Sequence, residues 1–277
     1  MNEASSGSGG RLFTSRTPRI VAARRLQRRR ERDRTGRFLA EGPQAVREAL
    51  SAGVVLELFG TPAALSRHGD LTALAPTASA VDDDALAALT ETVHPQGLVA
   101  VCEQAEVPLA AVTGRRLLAV AADIRDPGNA GTVLRTADAA GAGAVVFAGE
   151  AVDPYNGKCV RASAGSLFHV DVVRERDPVA VVGALRAAGM LVLAATGHGD
   201  DDLDDLADRG LLAQRTAWLF GSEAHGLPPD LASAADARVR VPIHGRAESL
   251  NLAAAAAVCL YASATAQRDT RAAAPTR

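Results

Sequence analysis

Three stretches of the chain combine glycines with polar side chains that can bind or orient a reacting group. The last of them, Arg238–Ala262, reads RVRVPIHGRAESLNLAAAAAVCLYA. Its β-like start ends at Pro242, because proline has no N–H to give to a sheet ladder. Ser249 precedes an alanine-rich run and is a favoured helix N-cap, which predicts a helix over Ser249–Ala266. Ser249 and Asn251 then lie at a helix N-terminus, which attracts anionic or electron-rich groups. An ordinary capped helix after a strand explains the same residues.

This stretch also resembles a family motif. The residues that carry the resemblance match the third motif of the SpoU/TrmH family of RNA ribose 2′-O-methyltransferases: Pro242, Gly245, Ser249, Leu250 and Asn251. The other two stretches are similar to the first and second motifs of that family, in the same order along the chain. They are DIRDPGNAGTVLRTADAAG at Asp123–Gly141, with Asn129, Gly131 and Arg135, and LFGSEAHGL at Leu219–Leu227, with Gly221, Glu223 and Gly226. Three ordered motifs are far more specific than one glycine pattern.

The resemblance implies methyl transfer from S-adenosylmethionine to a ribose 2′-hydroxyl. The positions that match the family's cofactor contacts are Thr196, Gly197, Gly221, Val241 and Leu250. The resemblance implies a cofactor pocket where the last three loops of the sheet converge, with Thr196 and Gly197 near the adenosyl group. The positions that match the family's catalytic residues are Arg135, Asn129, Glu223, Ser249 and Asn251. If the resemblance is set aside, the simplest interpretation is that Gly221 and Gly226 are turn residues and that Arg135 is a surface arginine on an amphipathic helix.

Arg135 is cast in the family as the base that activates the hydroxyl. A guanidinium has a pKa above about 12 and does not normally lose its proton in proteins. We therefore expect Arg135 to bind a phosphate and to stabilise the developing alkoxide. Asn129 is expected to hold the loops together, and Glu223 to orient Arg135 or Asn129 or to cap the short helix after Gly226.

Two basic regions are candidates for RNA contact. Eleven arginines and only two acids lie between Arg11 and Arg37, so this segment carries about +9 against −11 for the rest of the chain. A helix is predicted over Pro18–Asp33 of this arm. Such an arm suits a phosphate backbone, although a solvated arginine-rich helix is the alternative. We name Arg24, Arg25, Arg28 and Arg29 in it. In YNGKCVRASAG, which is similar to a further part of the family, Lys158 and Arg161 lie one helical turn apart.

Composition excludes other classes of protein. No apolar run reaches the roughly 18–20 residues that a membrane span needs. Three cysteines without CxxC spacing fit reduced thiols in a cytoplasm rather than a disulfide framework or a zinc site. His198 stands beside three aspartates but no second histidine lies at ligand spacing, so we predict no metal site.

Apolar strands alternate with helices through both halves of the chain, which predicts an α/β protein with a mainly parallel sheet in its second half. The predicted elements include a helix from Pro43 through Leu50, a strand over Leu167–Val173 and a helix over Pro178–Ala188. We divide the chain into a flexible tail at 1–18, a small α/β domain at 19–104, a linker at 105–115, a catalytic domain at 116–266 and a tail at 267–277. The first domain resembles the L30e/L7Ae-like substrate-binding domain. The family implies a C-terminal trefoil knot, which topology rules alone would never predict, and a homodimer formed through the knotted domain.

The target expected from this domain order is structured RNA, with 23S ribosomal RNA ahead of transfer RNA. Two alternatives of another class stay open. One is a non-catalytic RNA-binding protein on the same fold, and the other is a nucleotide-dependent oxidoreductase. GNAG at 128–131 lacks the GxGxxG pattern that the oxidoreductase needs.

Overall fold

The computed structural model describes residues 12–272, and side chains up to Arg268. The chain forms two compact units that divide after Gln104. Within residues 12–272, no helix combines the length and apolar character that a membrane span requires.

Unit 1 is a small mixed sheet covered by helices. Its elements are α1 Pro18–Arg25, α2 Arg29–Thr35, β1 Arg37–Glu41, α3 Pro43–Ser51, β2 Val55–Gly60, α4 Pro62–Arg67, α5 Gly69–Leu74, β3 Ala78–Ala80, α6 Asp83–Leu89 and β4 Leu98–Glu103. The strand order is β1-β4-β2-β3, with β4 antiparallel to both neighbours and β3 parallel to β2. Apolar residues of α1, α6 and the sheet share one core, in which Ile20 and Phe59 are fully buried.

The start of unit 1 differs from the sequence prediction in two ways. Residues 1–11 of the predicted tail lie outside the described residues, whereas Phe13 exchanges backbone hydrogen bonds with Ala80 and Asp82. The arginine-rich segment forms two helices rather than the single helix predicted over 18–33. Arg28 has extended backbone dihedrals (φ −96°, ψ 130°) and separates them.

Unit 2 is built on a larger sheet. Its elements are α7 Leu109–Val112, β5 Leu117–Ala122, α8 Pro127–Ala140, β6 Ala144–Ala148, α9 Gly157–Ala162, β7 Asp171–Glu175, α10 Pro178–Ala187, β8 Leu191–Ala195, β9 Asp201–Asp202, α11 Leu203–Asp208, β10 Thr216–Phe220, α12 Pro229–Ala234, β11 Ala237–Arg240 and α13 Leu252–Ala272. The seven strands follow the order β7-β6-β5-β10-β8-β11-β9, and every neighbouring pair is parallel. This confirms the predicted α/β class and the mainly parallel sheet.

The parallel arrangement decides where the motifs meet. Every residue of β5, β6 and β10 is buried, as expected for strands covered on both faces. The carboxyl ends of β5, β10, β8 and β11, four neighbours in the sheet, emerge at one edge. Ligands of open α/β sheets bind at this edge.

Some predicted boundaries in unit 2 are wrong. A strand was predicted over 167–173, but Ser166–Phe168 is a 3₁₀ turn and β7 begins at Asp171. The segment assigned as a linker contains α7 and the fully buried Val112. The last helix passes the predicted end at residue 266, because buried Gln267 donates to two backbone carbonyls, including that of Gln214 at 2.8 Å. Residues 273–277 lie outside the described part.

Candidate active site

The predicted cofactor residues occupy adjacent strand ends at one edge of the unit 2 sheet. Thr196 and Gly197 follow β8, Gly221 follows β10, and Val241 follows β11. Since β8 lies between β10 and β11, these three loops start side by side. The Thr196 amide donates to the carbonyl of Val239 at 2.9 Å, which ties the β8 loop to β11. Leu250 belongs to the exposed segment between β11 and α13.

Position 221 requires glycine, because the backbone of Gly226 and Leu227 packs where a Cβ would stand. Ser222 and Gly226 exchange two backbone hydrogen bonds, at 3.0 and 2.8 Å, and close a tight turn. A Cβ on Gly221 would lie 2.2 Å from the Gly226 carbonyl carbon and 2.4 Å from the Leu227 nitrogen, a separation that real atoms do not reach. Gly226 itself has a φ of 65°, in the left-handed region that glycine adopts without strain. The turn leaves Glu223 exposed at its tip.

The first motif forms the N-terminus of α8. The Asp126 carboxylate caps the helix by accepting the Asn129 backbone N–H at 2.8 Å. Its second oxygen accepts from Lys158 Nζ at 2.8 Å, and this bond lowers the pKa of Asp126 below its ordinary value. Both contacts hold Asn129 at a defined place. Asp126 was not among the predicted site residues, although an aspartate three residues before Asn129 has the spacing of an N-cap.

The Asn129 side chain joins the three motifs. Its Nδ2 donates to Glu223 Oε1 at 2.9 Å, and its Oδ1 accepts from Asn251 Nδ2 at 3.4 Å. Of the roles considered for Glu223, the structure therefore shows contact with Asn129. One amide thus connects the loops after β5, β10 and β11.

The last helix is capped by a different residue from the one predicted. Asn251, not Ser249, caps α13, because Asn251 Oδ1 accepts the Ala253 N–H at 2.9 Å. Asparagine competes with serine for this position, and the helix begins at Leu252, three residues later than predicted. Ser249 lies exposed two residues before the cap.

Arg135 lies exposed on α8, six residues after Asn129 and so about 9 Å further along the helix axis. Within the described residues no carboxylate stands within ion-pair distance of it. Its guanidinium therefore carries an uncompensated positive charge at the surface. The structure does not bring Arg135 into hydrogen-bond contact with Glu223, the alternative partner considered for that carboxylate.

The two predicted RNA contacts on α9, Lys158 and Arg161, differ in their surroundings. Lys158 bonds Asp126, as described, and Arg161 is partly buried. Helix α9 packs closely on α8, because a Cβ on Gly131 would lie only 2.5 Å from the Cys159 carbonyl oxygen. This close approach explains Gly131 in the first motif.

The basic segment of unit 1 separates into internal and exposed arginines. Arg32 is 2% exposed and donates to the carbonyl oxygens of Leu26 and Gln27, both at 2.9 Å, so it holds the junction between α1 and α2. Arg29 is exposed and lies 3.5 Å from Asp33. In contrast, Arg24, Arg25 and Arg28 are exposed and have no carboxylate within ion-pair distance among the described residues.

The acidic loop after β8 carries no metal cluster. Within residues 12–272, no group of three histidine, cysteine or acidic side chains is arranged to hold a metal ion. Asp200 and Asp202 instead pair with Arg238 and Arg240 of β11. Neither arginine was among the predicted site residues.

Comparison with known protein families gives two matches. Residues 116–261 match the SpoU rRNA Methylase family. Residues 17–100 match the MRM3-like substrate binding domain. The two matches fall in unit 2 and unit 1 respectively.

Individual relatives span nearly the whole chain. A 23S rRNA (guanosine(2553)-2′-O)-methyltransferase, RlmP of Bacillus subtilis, is 35% identical over 90% of this chain and 97% of its own. A 23S rRNA (uridine(2479)-2′-O)-methyltransferase of Streptomyces viridochromogenes is 36% identical over 91% of each. The crystal structure of an AdoMet-bound rRNA methyltransferase from Sinorhizobium meliloti superimposes with a TM-score of 0.79, at 31% identity over 91% of this chain and 97% of that one.

Proposed function

This chain belongs to the SpoU rRNA methylase family, and we propose that it transfers a methyl group from S-adenosylmethionine to a ribose 2′-hydroxyl of 23S ribosomal RNA. The proposal rests on two side-chain hydrogen bonds, from Asn129 to Glu223 and from Asn251 to Asn129. Together they link all three motifs at the edge of the sheet where ligands of such folds bind. The relatives named for 23S rRNA 2′-O-methylation match both units and support ribosomal RNA over transfer RNA.

The loops at this edge fit the cofactor by their composition. Gly221 lets the turn at Ser222–Gly226 close directly against the end of β10, and Gly197 faces open space where a Cβ would stand. Ile243 and Leu250, in the segment between β11 and α13, add apolar surface, since each keeps more than a third of its area exposed. Backbone groups and apolar side chains suit an adenosyl group and an aliphatic chain. When bound, S-adenosylmethionine supplies the electrophilic methyl group.

The protein must bring the ribose oxygen into line with that methyl group and stabilise the charge that develops on it. Arg135 is suited to both tasks, because its free, permanently charged guanidinium binds a phosphate of the target in a fixed orientation. Its positive charge also favours the alkoxide. Because the guanidinium keeps its proton, we assign the departing hydroxyl proton to the phosphate or to water.

Asn129, Glu223 and Asn251 act on the reaction by positioning. The carboxylate of Glu223 accepts from the Asn129 amide in a charge-assisted bond, which fixes the start of the helix that carries Arg135. Asn251 connects that position to the loop with Leu250. Ser249, exposed in the same loop, is assigned to the site on its match to the family motif.

We assign RNA binding to both units. In unit 1, Arg24, Arg25, Arg28 and Arg29 offer exposed charge to phosphates, and the match to a substrate binding domain supports this. In unit 2, Lys158 and Arg161 are the proposed contacts, with Lys158 sharing its charge with Asp126. A cytoplasmic location follows from a ribosomal RNA substrate.

The last helix supports a homodimer. Its exposed positions recur at spacings of four and three residues, through Ala254, Val258, Tyr261 and Thr265, and so form one stripe. Val258 and Tyr261 are 41% and 45% exposed, so the stripe carries two large apolar side chains. We propose that this stripe contacts a second copy, and that the family's trefoil knot is present in unit 2. Sedimentation of the wild type and of Val258→Glu tests the dimer, and a monomeric wild type refutes it.

Transfer of a radiolabelled methyl group to 23S ribosomal RNA that lacks 2′-O-methylation tests the proposed reaction. We expect incorporation by the wild type, a loss of at least about 100-fold in kcat for Arg135→Ala, the order reported for removing one charge-stabilising donor, and an intermediate rate for Arg135→Lys. Equal incorporation by wild type and Arg135→Ala contradicts the site assignment. RNA binding without any incorporation indicates a non-catalytic RNA-binding protein.

A further inference from the structure

The segment Thr196–Asp202, here called the β8 arch, runs from the end of β8 to the short edge strand β9. It contains Thr196 and Gly197, which the proposed function places beside the cofactor. Its second half lies directly on β11. A Cβ on Gly199 would stand 2.6 Å from three backbone atoms of residues 238–240, so the arch and β11 meet backbone to backbone.

Two arginines of β11 hold the arch from one face. Arg238 Nε donates to Asp200 Oδ2 at 2.9 Å, and Arg240 NH2 donates to Asp202 Oδ2 at 2.5 Å. Val239 lies opposite Asp201, and Arg240 lies opposite Asp202, in a parallel register. Residues at i and i+2 of a strand share a face, so both pairs are cross-strand contacts on the same side of the sheet edge.

Arg240 differs from Arg238 in reaching the backbone of the arch. Its NH1 donates to the Gly199 carbonyl oxygen at 2.8 Å while NH2 binds Asp202. The guanidinium thereby bridges positions 199 and 202 of the arch, since its planar fork can donate to two acceptors at once. Its side chain is 42% exposed and that of Asp202 27%, so the contact is partly shielded from water.

We propose that Arg240 is a positioning residue for cofactor binding: it fixes the β8 arch against β11, so that Thr196 and Gly197 keep the geometry that receives the adenosyl side of S-adenosylmethionine. The inference rests on the proposed function for its ligand. Among the described residues, the other anchors of the arch to β11 before β9 are the Thr196 amide bond to Val239 and the Arg238–Asp200 pair, which is more exposed than the Arg240 contact and binds no backbone group of the arch. Loss of the arginine fork frees Gly197–Gly199 to sample other conformations, and each binding event must then order them again.

Calorimetric titration of the purified full chain with S-adenosylhomocysteine tests this. We expect Arg240→Met to bind about tenfold or more weakly than wild type and Arg240→Lys to lie between them, because an ammonium can still donate to Gly199 or Asp202. Arg209→Met is the matched control. It removes an ion pair with Asp201 of the same acidic run (3.3 Å) and contacts no backbone of the arch among the described residues, so we expect unchanged affinity.

Amide hydrogen exchange over 196–202 gives a second readout that needs no ligand. Faster exchange in Arg240→Met, with a wild-type melting temperature and wild-type exchange elsewhere in unit 2, supports the inference. Unchanged exchange and unchanged affinity overturn it. If the wild type itself binds no S-adenosylhomocysteine, the proposed function fails, whereas the exchange comparison still decides whether Arg240 holds the arch.

Discussion

Replacement of Arg24, Arg25 and Arg28 by alanine should weaken RNA binding in a way that depends on salt. These three guanidinium groups lie at the end of α1 and its junction with α2, and no carboxylate among the described residues stands within ion-pair distance of them. Each is therefore available to a phosphate without breaking an internal bond. Buried Arg32 fixes the carbonyl groups of the junction, which gives the three side chains a common rigid support.

The size of the effect follows from counterion release. Each neutralised phosphate contributes about 0.7 to 0.9 to the slope of log K against log salt, so three contacts contribute about 2.1 to 2.7. Between 50 and 200 mM salt, wild-type affinity should therefore fall about 20- to 40-fold more than that of the triple variant. Fluorescence anisotropy with a labelled 23S ribosomal RNA fragment across a salt series measures both slopes.

A second triple variant separates local contact from total charge. Arg34, Arg47 and Arg209 are exposed and already paired, with Glu31, Asp70 and Asp201 respectively. Alanine at these three positions removes the same charge from the chain, yet we expect a slope close to that of wild type. An unchanged slope in the first variant, or an equal fall in both, would refute the assignment of Arg24, Arg25 and Arg28 to phosphates.

Three further predictions concern packing and the cofactor edge. Ser263→Ala removes the buried partner of Trp218 Nε1 (2.9 Å), so the free energy of unfolding from urea titration should fall by about 1–3 kcal/mol, and no change would contradict a buried bond. Gly221→Ala forces a Cβ into the Gly226–Leu227 backbone and should weaken S-adenosylhomocysteine binding at least about tenfold by calorimetry, whereas retained affinity would show that the turn relaxes cheaply. Burial raises the pKa of the Cys259 thiol to about 12 and those of the other two cysteines further, so a disulfide reagent at pH 8 should label no thiol before unfolding and three after it. Rapid labelling of the native protein would contradict that burial.

The sequence predicted most of the elements, because periodicity and turn residues report local structure directly. The runs at 117–122, 191–195 and 216–220 are apolar throughout, and the structure has β5, β8 and β10 there. Glycine and proline punctuation placed α3 and α10 to within two residues. The resemblance of the three motifs to one family predicted that their loops converge at one edge of the sheet. Periodicity alone does not say where these loops lie relative to one another.

The prediction errors arise where two residues are nearly equally good at a position, or where a contact in the folded chain determines the local structure. Ser249 and Asn251 are both good N-caps, and only the folded loop selects Asn251. The arginine-rich segment has one continuous helical pattern. In the structure Arg32 donates hydrogen bonds to the Leu26 and Gln27 carbonyl oxygens and so stabilises the break between α1 and α2. Neither outcome can be read from neighbouring residues.

Asparagine suits position 129 because this side chain bonds both Glu223 and Asn251. Glu223 offers only acceptor oxygens and needs a donor, whereas the Asn251 amide approaches through its Nδ2 and needs an acceptor. A carboxylate at 129 would satisfy Asn251 and repel Glu223, and an alkyl group would leave both without their shared partner. An amide carries a donor and an acceptor on one rigid group, so it can link an acid of one loop to an amide of another. Complementary hydrogen bonds therefore join the three loops, and in the proposed function they hold the loops at the edge where the cofactor and the RNA ribose bind.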